Sequence, residues 1–272
     1  MDLSHGKIRQ ALIDDWNQKH PDTPVKVVKL PSSADLQHAQ MLAAEQAGDT
    51  TYDVLNLDLT WTAEFADNNA IVPLDNEMLG DGDFVAKALE SARYRDRLWA
   101  VPFNTDVGLL YYRKDIVGSK GLPLPTKWGD LVDAKQSVQP PMRVFTTQLK
   151  RYEGLTVNVV EASASQNEDL SGSGGLLALA AGLRDGTILP ESTTYDEAGA
   201  LEAFRGDNAM FMRNWPYAYD VMASDMLDFP KKVGVTRLPW PAVLGGQNLA
   251  VARNSTKPRL ARELIEFLTS PN

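Results

Sequence analysis

The chain has 272 residues, of which 43% are hydrophobic and 23% charged, with no cysteine and a formal net charge of -9. Such a composition excludes global disorder, and the missing cysteines exclude disulfides, zinc ribbons and thiol catalysis. An acidic chain without a Lys/Arg cluster also excludes nucleic acid as a partner, because neutralising phosphates needs a basic footprint.

The first helix is predicted over Ser4–His20, with Ile8, Leu12 and Trp16 at helical spacing and Pro21 closing the segment. The β-branched run Val25–Leu30 reads as a strand. A helix over Ala34–Ala47 carries Leu36, Ala39 and Ala43 on one face and ends at the capping Gly48. Tyr52–Leu57 is a short buried strand ending at Asp58, and this β-α-β order predicts a parallel sheet with right-handed crossovers. Short helices are expected over Trp61–Asn68 and Phe84–Tyr94. Strands follow at Leu98–Phe103 and Gly108–Arg113, joined by the polar tetrad Asn104-Thr105-Asp106-Val107.

A helix containing Trp128 and Leu131 comes next, then a strand over Met142–Thr147 and a helix over Tyr152–Ala162. Ser163–Gly175 is polar and glycine-rich, so it reads as a surface loop. Helices are expected over Leu176–Arg184 and Tyr195–Phe204, followed by strands at Asn208–Met212 and Val233–Leu238. Gly245-Gly246 reads as a turn, Asn248–Ala252 as a strand and Arg259–Thr269 as a helix. No apolar run approaches the ~18 residues of a membrane span. The opening MDLSHGKIRQ has no apolar core of a signal peptide.

Several segments carry a resemblance when taken in order: AAEQAGDTTYDVLNLDLTWTAEFADNNAIVPLD, LWAVPFNTDVGLLYYRKDI, RYEGLTVNVVE, AFRGDNAMFMRNWPYAY and GGQNLAVARNSTKP. Over most of Lys7–Asn272 the chain resembles the family 1 bacterial extracellular solute-binding proteins, above all the maltose/trehalose-type sugar binders of ABC importers. The resemblance implies an α/β, periplasmic-binding-protein-like (type II) clamp of two lobes. Residues 1–105 with 246–272 would form one lobe and 106–245 the other. PFNTDVGLLYY would be the first crossing between them and LGGQNLAV the return.

The resemblance further implies a carbohydrate ligand captured by hinge closure. It implies ABC transporter permease subunits as partners, no cofactor, and a monomer. It also implies a periplasmic protein or cell-surface lipoprotein, held at a membrane only through a signal or lipid anchor outside this chain. Family members begin with a strand before the first helix and continue past the last one, so the chain is expected to be truncated at both ends.

The residues themselves suit a sugar, which needs hydroxyl acceptors and aromatic faces for stacking. Asp58 and Trp61 follow a strand, Asn104 and Asp106 lie at the proposed crossing, and Glu153 starts a helix. Trp215 and Tyr217 follow the strand of Asn208–Met212, and Gly245 and Gly246 would let backbone amides approach a ligand. Each has a plainer use. Trp61 can anchor a helix to the core, Asp58 can cap one, Asn104 and Asp106 can stabilise a turn, and Glu153 can answer the helix dipole. Trp16, Trp99, Trp128 and Trp240 read as packing.

Carboxylates beside tryptophans also describe a glycosidase cleft, for which Asp58, Asp106 and Glu153 are the available acids. A metal role finds no support, since His5, His20 and His38 have no ligand spacing. Ser171–Gly175 lacks the lysine of a phosphate-binding loop. Three acids with no candidate arginine opposite argue against an anionic ligand. Non-sugar solutes remain the alternative within the family, with Gln247 a position where specificity can vary.

Overall fold

The computed structural model of the protein describes residues 6–270 apart from Ser32 and Leu170. Its elements begin with α1 (Gly6–Lys19), α2 (Ala34–Gln46), β1 (Val54–Asp58), α3 (Thr62–Asp67) and α4 (Ala86–Ser91). The hairpin β2 (Arg93–Tyr94) and β3 (Arg97–Leu98) precedes β4 (Val101–Val107), β5 (Leu109–Arg113), α5 (Lys114–Ser119) and α6 (Trp128–Asp133). Then come β6 (Arg143–Thr146), α7 (Glu153–Ser165), α8 (Gly174–Asp185), α9 (Glu197–Arg205) and β7 (Ala209–Asn214). The last elements are α10 (Tyr217–Asp225), α11 (Phe229–Lys232), β8 (Val233–Arg237), β9 (Leu244–Val251) and α12 (Pro258–Thr269). Among the described residues, no helix is long and apolar enough to cross a membrane.

One compact unit runs to Asp106 and resumes at Leu244. Its sheet has the order β1-β9-β4, with β1 and β9 antiparallel and Asp58 opposite Gln247. Leu55, Leu57, Phe65, Ile71 and Val251 form its core, and Ile13, Trp16 and Leu264 join α1 to α12. Gly48 closes α2 as its position predicts. Its φ is 72°, its N–H reaches Glu45 O at 3.2 Å, and Asp49 N–H reaches Ala44 O at 3.0 Å.

Several expectations for this unit are corrected. Val25–Leu30 forms no strand, and Val27 and Val28 are 48% and 42% exposed. β-Propensity is a local property, whereas a strand exists only where a neighbour supplies its ladder. The predicted parallel β-α-β unit is therefore absent here, and β1 is antiparallel to its partner. The first helix buries Ile13 and Trp16 but leaves Ile8 61% exposed, while Ser4 lies outside the described residues. In α2 the buried residues are Met41 and Glu45, with Leu36, Ala39 and Ala43 facing outward. That face carries mixed contacts: Met41 enters the apolar core, Glu45 Oε2 accepts the Asn254 backbone N–H at 3.1 Å, and His38 meets Trp61 and Phe65 edge-on. Asn104, Thr105 and Asp106 lie inside β4 and are not a connection, and Gly245-Gly246 lies inside β9 and is not a turn.

Val107–Val243 forms the second compact unit, with a sheet of order β6-β7-β5-β8. β6 and β7 are parallel, while β5 is antiparallel to both β7 and β8. Successive residues of β5 face opposite sides, as strand geometry requires. Leu110 enters a core with Phe145 and Met210, and Tyr111 one with Phe204 and Met222. Helix α7 continues into the segment read as a loop, reaching Ser165. Residues 217–232, to which sequence pattern assigned no element, form α10 and α11.

Candidate ligand-binding residues

In the first unit the nominated residues gather where β1 ends and where β4 and β9 run side by side. Asp58 Oδ1 accepts the Thr60 backbone N–H at 2.9 Å and its hydroxyl at 2.8 Å, which caps the short 3-10 turn Leu59–Trp61. Burial pushes its carboxyl above the usual carboxylate range, opposed by the Thr60 hydrogen bonds. Trp61 packs against the core beside His38, ring centroids 5.2 Å apart. In both cases the plainer role is occupied: a cap for Asp58, an anchor for Trp61.

Asn104 Nδ2 donates to Asp106 Oδ2 at 3.2 Å, and Asn104 Oδ1 accepts from Arg9 Nη2 at 2.8 Å. Arg9 Nη2 also donates to Gln247 Oε1 at 2.6 Å, and the guanidinium stands 5.2 Å from the Phe103 ring centroid. Sequence reasoning missed Arg9, because nothing in a helical repeat shows that its head reaches β4 and β9. Its presence removes the argument against an anionic ligand that rested on a missing arginine. Gly246, at φ 124°, lies against β4 itself: a Cβ there would stand 2.2 Å from Asn104 O. Glycine at this position serves the close approach of two strands. Gly245 is buried beside it.

In the second unit the nominated residues lie at the C-terminal ends of the parallel strands β6 and β7, the end at which open α/β sheets place ligands. A buried amide network fixes that end. Gln148 Nε2 donates to Arg213 O at 2.9 Å, and Asn158 Nδ2 donates to Gln148 O at 3.0 Å and Gly154 O at 2.8 Å. Thus α7, which Glu153 opens, is bolted to the strand ends. The Tyr152 hydroxyl is buried and lies so near Gly154 that a Cβ there would stand 2.2 Å away. Burial first, then the negative charge of Glu197, raises the phenols of both Tyr152 and Tyr217. Glu197 O in turn accepts from Asn214 Nδ2 at 3.0 Å.

Trp215 follows directly. Its backbone N–H donates to Asn214 Oδ1 at 2.9 Å, and its backbone carbonyl accepts from the Tyr111 hydroxyl at 2.9 Å. Trp16, Trp61, Trp99, Trp128 and Trp240 all belong to apolar clusters, whereas half-buried Trp215 belongs to none among the described residues. Instead the Arg213 guanidinium lies 3.8 Å from its ring centroid. Among the described residues no group of three or more His, Cys, Asp or Glu is placed to hold a metal ion.

The model of the family described as bacterial extracellular solute-binding protein matches residues 3–272. The chain belongs to that family. Its fold is the α/β fold of the two-lobed periplasmic solute-binding proteins. This solute-binding protein is 31% identical to a probable ABC transporter-binding protein of Deinococcus radiodurans, over 94% of this chain and 67% of that one. It thus spans about two thirds of that relative's length. Among solved structures it superposes on maltose-bound MalE3 of T. maritima with a TM-score of 0.90 at 32% identity, covering 98% of this chain and 75% of that one. An ABC transporter solute-binding protein of Thermotoga lettingae bound to α-D-tagatose has a TM-score of 0.86 at 20% identity, covering 97% and 74% of the two chains.

Proposed function

We infer that the protein is the solute-capturing component of an ABC importer and that its solute is a neutral carbohydrate, a mono- or oligosaccharide and above all a disaccharide. The observation that carries this reading is Trp215, a large aromatic that joins no apolar cluster among the described residues, at a strand end suited to ligands. Family membership and the maltose held by the similar MalE3 support the same class. In this reading the unit ending at Asp106 and resuming at Leu244, and the unit Val107–Val243, are the lobes of a clamp. In the second unit Trp215 stacks on a sugar face and Tyr217 and Glu153 meet hydroxyls beside it; in the first unit Asn104 and Asp106 offer polar side chains to a solute.

In the second unit the arginine beside Trp215 is already matched by Glu161, which supports a neutral solute at that ring. Membership of a solute-binding family supports capture of the solute without catalysis. Permease subunits receive the loaded protein outside the cytoplasm. Calorimetric titration with maltose, trehalose, other disaccharides and monosaccharides tests the reading, with the mixture analysed for products. Saturable binding of one sugar without turnover is expected. Hydrolysis, or binding of none of the panel by folded protein, would sink the carbohydrate assignment.

A further inference from the structure

Arg213 and Glu161 were not among the residues the sequence nominated, yet they are 1% and 2% exposed. Buried charges are costly unless paired and fully hydrogen-bonded, and a well-packed apolar pair often replaces them without loss. This pair is bidentate: Arg213 Nε donates to Glu161 Oε2 at 2.9 Å and Nη2 to Oε1 at 2.8 Å. The guanidinium held in this way lies over the Trp215 ring, 3.8 Å from its centroid. Glu161 Oε1 also accepts the Val243 backbone N–H at 3.1 Å. Gly108 is pressed on the pair as well, since a Cβ there would stand 2.6 Å from Glu161 Oε1 and 2.9 Å from Arg213 Nη2. Gly108 and Val243 lie at the two ends of this unit, beside the points where the chain passes to the other one. A single ion pair therefore touches the indole and both chain connections.

Resting on the reading of Trp215 as a ligand platform, we propose that Glu161 is a positioning residue for solute binding. It holds Arg213 flat against one indole face, so that the ring presents its opposite face to a sugar. It also ties that ring orientation to the segments joining the two units. The geometry requires a planar fork on both sides. Arg supplies two parallel N–H bonds to a carboxylate and a flat surface for stacking, which a lysine of equal charge does not. A guanidinium released by loss of Glu161 is free to turn off the indole, and the ring then loses the stacking contact that fixes its rotamer.

A purely structural role for the pair would leave the ring where it is. Near-UV circular dichroism separates the two roles without any ligand, because wild type minus Trp215→Phe isolates the Trp215 band. Glu161→Gln keeps the side-chain shape. Glu161→Gln/Arg213→Met removes both charges together and so avoids stranding one in the interior. At unchanged far-UV spectra, the Trp215 band is expected to fall by about half or more in both variants, and maltose affinity by about tenfold. A wild-type Trp215 band in the folded double variant overturns the inference, as does maltose affinity within about twofold of wild type. If the band is lost as expected but wild type binds no sugar, the positioning role stands and the carbohydrate reading alone fails.

Discussion

Trp215 and Trp61 are both stacking candidates in the sequence, with Trp215 the more favoured, and their surroundings assign them opposite sensitivities. Trp61 packs on the core of its unit and on His38, so Trp61→Ala is expected to cost about 2 kcal/mol of stability, read as a lower urea midpoint. Trp215 belongs to no apolar cluster among the described residues, so Trp215→Ala should lower the midpoint less than Trp61→Ala, through its lost stacking on Arg213, while weakening sugar binding by about 1–3 kcal/mol. The reverse pattern would exchange the two roles. Glu45 gives a pH prediction at the same scale. Burial raises its pKa above the unfolded value, opposed by backbone hydrogen bonds from Asn254 and Arg253. In the window above the ordinary carboxylate range the folded protein then holds the proton more tightly than the unfolded chain. Its contribution to stability is present at low pH and is lost as pH rises through the folded pKa. The Glu45→Gln variant should lack that loss, so its midpoint relative to wild type rises with pH; a difference that stays flat across the window refutes the assignment. That Trp215 stands apart from the apolar clusters of the described residues was legible in the sequence, because a tryptophan before a proline at a strand end has few packing uses. Arg9, Glu161 and Arg213 were not, because each is defined by partners tens to hundreds of residues away.

Elements divide along the same line between local and non-local causes. α2 ends where its sequence says, because a glycine in the left-handed region is all the motif needs. Val25–Leu30 has equally clear β-branched content and forms no strand, because pairing depends on another segment. The polar stretch Asn104–Asp106 looked like a connection for the complementary reason: its side chains bond to one another and to Arg9 while its backbone continues β4. Two glycines test how far each cause extends. At Gly48 a Cβ meets nothing within 4 Å, so Gly48→Ala is expected to cost only the conformational strain, about 1 kcal/mol. At Gly246 the strain is joined by a 2.2 Å encounter with the β4 backbone. Gly246→Ala should therefore cost about 3 kcal/mol or more, because backbone cannot swing aside as a side chain can. Urea denaturation of the two variants checks the ranking, and equal losses would mean that β4 and β9 do not approach as closely as described.

At the scale of the whole molecule, each unit carries its own apolar clusters and can therefore respond to a solute separately. A ligand stabilises what it touches by RT ln(1 + [L]/Kd), about 2.7 kcal/mol at a hundredfold excess over Kd. The clamp reading requires one solute to stabilise both units; a solute seated on Trp215 alone stabilises only the second. Hydrogen exchange separates these cases. With a sugar identified by titration, amides of β7 in the second unit and of β9 in the first are expected to slow together, to the extent the binding free energy allows. Protection confined to β7 would leave Trp215 as a binding platform and refute closure by both units. Protection in both, lost together in the Glu161→Gln/Arg213→Met variant, would tie the grip on the solute to the ion pair at the two chain connections.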